Sequence, residues 1–353
     1  MKKRFLALLL EFAAVLSLTG CAGRKDNGGE STTGDQGSNS TMVATDFPVT
    51  LTDAAGREVT IEREPERLVS GYYITTSMLI ALGQQDKLVG IEAKANTRPI
   101  YELAAPELLE LPSVGTAKSF DLEGCAALQP DLVILPMKLK NVALELEKLG
   151  LTALTVDPES LEQLNDTVVL LGAAVGASER AQELLDYNGD TQAFLSKTLS
   201  GLEKPKVYLA GNSSYLSTAG RKMYQNTMLE LGGGENVAAG LEDGYWAEVS
   251  YEQLLAWNPE VIVIASGAAY TKEELMDDPQ LEGLAAVRDG RVYAMPSAVE
   301  AWDSPVPSAM VGSRWVAAVL HGQQYAFEQF QSDAAEFYQK FYQVSVDPSA
   351  LGW

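Results

Sequence analysis

The chain has 353 residues, 46% of them hydrophobic, with 48 acidic against 26 basic side chains and a formal net charge of −22. That charge argues against nucleic acid as a partner and against adhesion to anionic lipid, so any local gathering of basic residues stands out. With two cysteines and a single histidine, His321, the composition leaves no room for a disulfide framework and almost none for a histidine-based triad.

Lys2, Lys3 and Arg4 open the chain as a positive segment. Phe5 to Leu18 follow as an apolar run too short to span a bilayer, with Glu11 as an internal charge. Leu18-Thr19-Gly20-Cys21 then resembles the bacterial lipobox. The resemblance implies a signal peptide over residues 1–20 and a lipid-modified Cys21 as the mature N-terminus, anchored to the cell membrane without spanning it. Residues 21–45 read as a flexible polar linker, rich in Gly, Ser, Thr and Asn and unable to bury a core. About 300 residues remain, enough for two compact lobes.

The folded part starts near Asp46. Val49–Thr52 and Glu58–Ile61 alternate around Asp53-Ala54-Ala55-Gly56, a hairpin signal. Short apolar runs follow at Arg67–Val69, Leu88–Ile91, Leu132–Leu135 and Ala153–Val156, separated by helical patterns such as Thr76–Leu82 and Val142–Leu149. Continuous apolar strands alternating with helices predict a parallel sheet covered on both faces. Ser178–Leu202 reads as one long helix, with Asn188-Gly189 as a point of interruption and Pro205 closing the segment. The pattern restarts at Lys206–Ala210, Val261–Ala265 and Arg291–Ala294. The expected architecture is α/β: two Rossmann-like lobes with parallel sheets, 46–177 and 205–353, joined by a single long helix over 178–204.

The two lobes share a passage. Asp121-Leu122-Glu123 leads through Pro130 into Leu132-Val133-Ile134, and Ser250-Tyr251-Glu252 leads through Pro259 into Val261-Ile262-Val263. Asp121 and Ser250 are expected to N-cap short helices, and Glu123 and Glu252 fall in the first turn, where the helix dipole favours a negative charge. The prolines end each helix and turn the chain into a strand. Each lobe therefore presents one carboxylate in an equivalent position. Dipole compensation alone would account for both, since a repeated fold repeats its caps. Cys125, followed by Ala126-Ala127-Leu128, reads as a small buried core residue. His321 reads as the end of a helix beside Gly322.

The ordered landmarks across residues 46–345 resemble the substrate-binding proteins of ABC importers for ferric siderophores, haem and cobalamin. They include the opening hairpin, Asp86–Ile91, Leu111–Gly115 before Glu123, Leu231–Val237, Ala286–Tyr293 and Trp302–Ser308. The resemblance implies two lobes facing each other across a shallow cleft, with one helix as a joint that allows little closure. It also implies that Glu123 and Glu252 pair with arginines of a permease dimer, a task suited to charge-assisted carboxylate–guanidinium contacts.

In such folds loops at the strand C-termini line the cleft. In the first lobe they carry Tyr72, Tyr73, Lys94, Arg98, Lys118, Lys138 and Lys140; in the second, Tyr215, Arg221, Lys222, Tyr224, Trp246, Tyr270 and Trp302. Aromatics with cations in an acidic protein suit a large, partly flat, anionic metal chelate, so a ferric siderophore or haem is the expected ligand. Cobalamin or an oxyanion such as molybdate remains open, the latter held by cations and helix N-termini. No resident cofactor or metal is expected, and no catalytic residues. An extracytoplasmic enzyme is the rival in kind, but the chain holds no nucleophile elbow, Walker loop, zinc motif or dinucleotide fingerprint. A surface receptor without an importer is a third reading.

Overall fold

A computed structural model describes residues 46–242 and 245–352. The signal over 1–20, the lipidated Cys21 and the linker over 21–45 expected from the sequence lie outside these residues. Strands β1 (Val49–Thr52) and β2 (Glu58–Ile61) form the expected antiparallel hairpin, burying Val59 and Ile61 and leaving the alternate residues of β2 exposed. Asp53 holds its turn. Oδ1 accepts from the amides of Ala55 and Arg57 at 3.0 and 2.9 Å, and Oδ2 accepts from Arg57 Nε at 3.0 Å. Oδ2 also accepts from the amide and hydroxyl of Thr155 at 3.0 and 2.6 Å, which fastens the hairpin to the first sheet.

The first lobe runs β3 (Leu68–Ser70), α1 (Tyr73–Ala81), β4 (Leu88–Gly90), α2 (Pro99–Ala104), β5 (Gly115–Thr116), β6 (Ser119–Phe120), α3 (Leu122–Ala127), β7 (Leu132–Pro136), α4 (Lys140–Lys148) and β8 (Ala153–Val156). Its parallel sheet has the order β4-β3-β7-β8. Every residue of β3, β7 and β8 is buried, which is why these strands read as unbroken apolar runs.

Two helices then leave the sheet, α5 (Leu161–Ala174) and α6 (Ser178–Thr198). The sequence reading assigns no element to α5, although Ser160 Oγ caps it by accepting from the amide of Gln163 at 3.2 Å. Asn188-Gly189 does not interrupt α6. Asn188 is buried and its Nδ2 donates to Asn165 Oδ1 of α5 at 2.9 Å, so packing between the two helices overrides the poor helix propensity of Asn and Gly. The helix ends at Thr198 rather than Leu202.

The second lobe runs β9 (Lys206–Ala210), β10 (Ser217–Thr218), α7 (Tyr224–Leu231), β11 (Glu235–Asn236), β12 (Ala247–Glu248), α8 (Tyr251–Trp257), β13 (Val261–Ile264), α9 (Lys272–Met276), α10 (Ala285–Arg288) and β14 (Val292–Ala294), followed by α11 (Ala309–Leu320) and α12 (Phe327–Tyr342). Its parallel sheet has the order β11-β9-β13-β14. In both lobes the parallel strands are thus arranged second, first, third, fourth. In both, a small antiparallel pair, β5-β6 or β10-β12, sits ahead of the short helix that carries the repeated glutamate.

The core is continuous between lobes. One buried apolar cluster contains Leu68, Leu132 and Leu154 of the first sheet, Val207, Leu209 and Val261 of the second, and Phe337 and Phe341 of α12. Helix α12 packs back onto α1, and α11 packs onto α6 and α7. Arg180 of α6 donates to Ala81 O at 3.1 Å and to Lys340 O, linking α1, α6 and α12. No helix among the described residues is long and apolar enough to cross a membrane.

Burial opposes the charge on Asp53, but hydrogen bonds from Thr155 and Arg57 outweigh it and hold the carboxyl below its ordinary range. A carboxyl depressed in the fold adds stability above its unfolded value, and that stability is lost as pH falls through the folded value. Asp53→Ala is therefore expected to cost about 3 kcal/mol at pH 7 and progressively less in acid, as read from urea midpoints across pH.

Candidate functional site

A cleft opens where the carboxyl ends of both sheets face each other, at the point where strand order reverses in each. One chamber, about 630 Å³, is lined after β3 by Gly71, Tyr72 and Tyr73, and after β4 by Glu92, Ala93 and Arg98. Pro136 ends β7, Met137 and Lys138 follow it, Lys140 begins α4, and Asp157 and Glu159 follow β8. Gly115, Thr116 and Ala117 of the β5-β6 hairpin complete the wall, with Tyr245 from the second lobe. At Gly115 φ is +91° and a Cβ would stand 2.2 Å from Ser119 O, so only glycine lets this hairpin close against the cleft.

Two further chambers share Tyr73 and Arg98 with the first. One, about 390 Å³, lies between the lobes and adds Asn212, Met223, Tyr224, Gln225, Trp246, Ser266, Asp303 and Ser304. The other, about 430 Å³, lies behind, against Ser77, Tyr101, Asn212, Ser266 and Glu300. Arg98 is thus the cation at the junction of all three. Pro99 at the first position of α2 favours the extended backbone observed at Arg98, φ −112° and ψ 98°. The guanidinium lies 4.0 Å from the ring centroid of Tyr73, and no carboxylate among the described residues pairs with it. Tyr72 packs edge-on against Tyr73, with centroids 5.3 Å apart. Lys138 of the first lobe reaches to 5.7 Å from the ring centroid of Tyr245 of the second.

The acidic groups around this cation are restrained. Glu92 is 7% exposed and accepts from Thr76 Oγ1 at 2.6 Å and Tyr101 Oη at 2.8 Å. Burial raises its pKa, and the two hydroxyls only partly oppose that. Asp303 accepts from the amide of Ser266 at 3.0 Å and is likewise raised by burial. Glu159 is raised by burial and then by neighbouring Asp157, with Lys138 opposing. Glu300, deep between the lobes, accepts from Ser77 and Ser308 and is raised by burial. The cleft therefore sets a guanidinium without a salt-bridge partner among carboxyls whose pKa values are raised by burial, with the charge of Arg98 opposing the rise at Glu92 and Glu300.

Of the residues expected at the cleft, the structure gathers Tyr72, Tyr73, Arg98, Lys138, Lys140, Tyr224 and Trp246 at the chambers. Tyr72 and Tyr73 are also pushed up by burial. Lys94 takes a left-handed turn and is exposed away from the chambers, while Lys118 stands exposed at the tip of the β5-β6 hairpin. Arg221 turns outward to Glu242 at 3.6 Å and donates to Ala239 O. Tyr215 and Tyr270 pack on each other within the second lobe, at 5.3 Å between centroids. Trp302 is a correction of a different kind. It is 1% exposed, donates its indole N–H to Tyr338 Oη at 2.7 Å and packs on Phe330, so it belongs to the core. The segment after β14 leaves the sheet towards α11 and α12, and the large ring follows it inward. Sequence reasoning missed Glu92, Glu159, Asp303 and Tyr245. Glu92 follows Ile91 directly, so its place at a strand end was a usable signal; Tyr245 gave none.

The repeated glutamates sit as expected from their caps. Asp121 Oδ1 accepts from the amide of Gly124 at 2.9 Å, Ser250 Oγ from that of Gln253 at 3.2 Å, and Glu123 and Glu252 are exposed in the first turns of α3 and α8. Cys125 is fully buried, which pushes its thiol up to about 11, and His321 ends α11 with its ring nitrogen 3.1 Å from Gly233 O. Among the described residues no group of His, Cys, Asp and Glu could hold a metal ion.

Two sheets of matched order around an interlobe cleft define a bilobal binding protein. The chain belongs to the periplasmic binding protein family, whose pattern matches residues 68–299. It is similar to the molybdate-binding protein MolA of Haemophilus influenzae, 27% identical over 84% of this chain and 92% of that protein. It is also similar to the ABC transporter substrate-binding lipoprotein YvrC of Bacillus subtilis, 29% identical over 83% of this chain and 90% of that protein. The crystal structure of a periplasmic solute binding protein from Veillonella parvula superposes with a TM-score of 0.74, at 26% identity over 86% of this chain and 95% of that one.

A carboxyl raised in the fold binds its proton beyond the unfolded value, so its contribution to stability is complete at low pH and is lost as pH rises through the folded value. Glu92→Gln is therefore expected to melt above the wild type at pH 8, with the gap closing at pH 4. Parallel melting curves at every pH would show that Glu92 ionises freely.

Proposed function

We propose that this protein captures an anionic metal chelate, of the ferric siderophore or haem type, in the interlobe cleft and hands it to the permease of an ABC importer. The carrying observation is Arg98: a guanidinium without a salt-bridge partner, 4.0 Å from the ring centroid of Tyr73, that lines three chambers, two of them walled by Tyr72 and Tyr245 and one of these also by Trp246. A partly exposed guanidinium without a salt-bridge partner is well placed to form charged hydrogen bonds with an anionic ligand. The width of the chambers and their aromatic walls suit a ligand much larger than a bare oxyanion. A second reading, an oxyanion, is favoured by one observation, the similarity over most of the chain to a protein named for molybdate.

Delivery is read from Glu123 and Glu252: their exposure in the first turns of α3 and α8 supports a pairing with a two-fold partner. Anchoring is read from Cys21, which keeps the protein at the outer face of the cell membrane; similarity to a relative named as a lipoprotein supports it. The ligand is carried without chemistry, and recovery of an altered ligand would instead indicate an enzyme.

A thermal-shift and calorimetric panel of ferric catecholate, ferric hydroxamate, haem, cobalamin and molybdate tests the ligand class. The chelate that binds should lose about 10- to 100-fold in affinity in Arg98→Ala, the loss of one charged hydrogen-bonding partner. Undiminished binding in that variant overturns the role given to Arg98, and a response to molybdate alone establishes the second reading. Glu123→Ala/Glu252→Ala should bind ligand normally yet abolish uptake by cells; normal uptake would remove both carboxylates from the docking surface.

A further inference from the structure

Helix α8, which carries Glu252, has seven residues and buries only Leu254 fully. A helix this short does not hold itself in place, so its position is set by its contacts. Its first residue, Tyr251, donates its hydroxyl to Asp278 Oδ2 at 2.8 Å. Tyr215 donates to the same oxygen at 2.8 Å. The ring of Tyr215 meets that of Tyr270 edge-on, and the hydroxyl of Tyr270 donates to Gly211 O at 2.8 Å. Gly211 ends at the cleft: a Cβ there would stand 2.9 Å from the ring of Trp246, and the next residue, Asn212, lines two of the chambers. The amide of Ala269 donates to Asn212 O at 2.8 Å, so the loop before Tyr270 is tied to the same wall. An unbroken series of contacts runs from the cleft wall to the residue beside Glu252.

The first lobe is built differently. The first residue of α3 is Leu122, which packs into an apolar cluster with Cys125 and Leu139. Apolar packing of that kind is tolerant of small rotations, whereas two hydrogen bonds to one carboxylate oxygen are directional. Asp278 is held below its ordinary range because hydrogen bonds from the Gln280 amide, Tyr215 and Tyr251 outweigh burial, consistent with a charged acceptor at the centre of the bridge.

We propose that Tyr270, Tyr215, Asp278 and Tyr251 form a strut that fixes α8 to the cleft wall, making them positioning residues for Glu252. The strut gives the second lobe a link between the wall that a ligand touches and the carboxylate offered to a partner. The proposal rests on the reading of Glu252 as a docking group.

Hydrogen exchange of the full chain, followed by mass spectrometry over residues 250–258, tests it without ligand or partner. Asp278→Ala should speed exchange across α8 by about tenfold, the equivalent of losing the bridge, and leave α3 unchanged. Tyr270→Phe, a milder change at the cleft end, should speed α8 exchange in the same direction. Asp278→Asn keeps an acceptor oxygen and should restore slow exchange. Wild-type exchange in Asp278→Ala, no effect of Tyr270→Phe, or failure of Asp278→Asn to restore protection each overturns the strut. These outcomes are independent of uptake: normal uptake in Glu123→Ala/Glu252→Ala overturns the docking reading whatever α8 exchange shows.

Discussion

A parallel sheet has to be covered on both faces, and the rest of this molecule follows from meeting that requirement twice. Strands as short as Leu68–Ser70 and Val261–Ile264 have no solvent face, so every crossover must return over a helix, and each crossover leaves a loop at the carboxyl edge. With four strands in the order second, first, third, fourth, the crossovers diverge to opposite faces at one place in each lobe. The chambers open at that place. The site is therefore a consequence of sheet coverage, and its chemistry was left for the loops to supply.

The electrostatics of the cleft resolve an apparent conflict. A chain with a net charge of −22 is a poor host for an anion. The cleft reduces this charge locally by placing Glu92, Asp303 and Glu300 where burial favours their protonated forms. The guanidinium of Arg98, which lines all three chambers, then stands in less negative surroundings. Satisfaction by hydroxyls and, at Asp303, a backbone amide rather than by a salt-bridged lysine or arginine is central to the arrangement, because a cationic partner in contact would have favoured the ionised forms.

The fold was legible because its signals are local and repeated: apolar runs for buried strands, Asp121 and Ser250 as caps, Pro130 and Pro259 as helix stops. Family membership agrees with the resemblance read from the ordered landmarks. The site was legible only in part. Tyr72 and Tyr73 lie between a strand and the helix that follows it, and Arg98 precedes a proline, so their positions were constrained by neighbours in sequence. Trp302, Tyr215 and Tyr270 also stand near strand ends, but which way a side chain turns there depends on partners far along the chain. Tyr338 and Phe330 draw Trp302 inward, and Asp278 and Gly211 hold the two tyrosines within their lobe. Carboxyls were undervalued for a related reason: a Glu in an acidic chain looks like surface until its hydroxyl partners are known.

Duplicated architecture suggests two bodies that could be made, stored and lost separately. The apolar cluster that runs from Leu68 through Phe337 and Phe341 to Val207 removes that independence. During synthesis the first lobe would emerge with its α1 face bare, waiting for α12, one of the last elements to be made. Such a chain cannot finish folding until nearly all of it has been made. Truncation anywhere before Tyr342 would then yield an incomplete body and a target for proteolysis, rather than a shortened but working receptor.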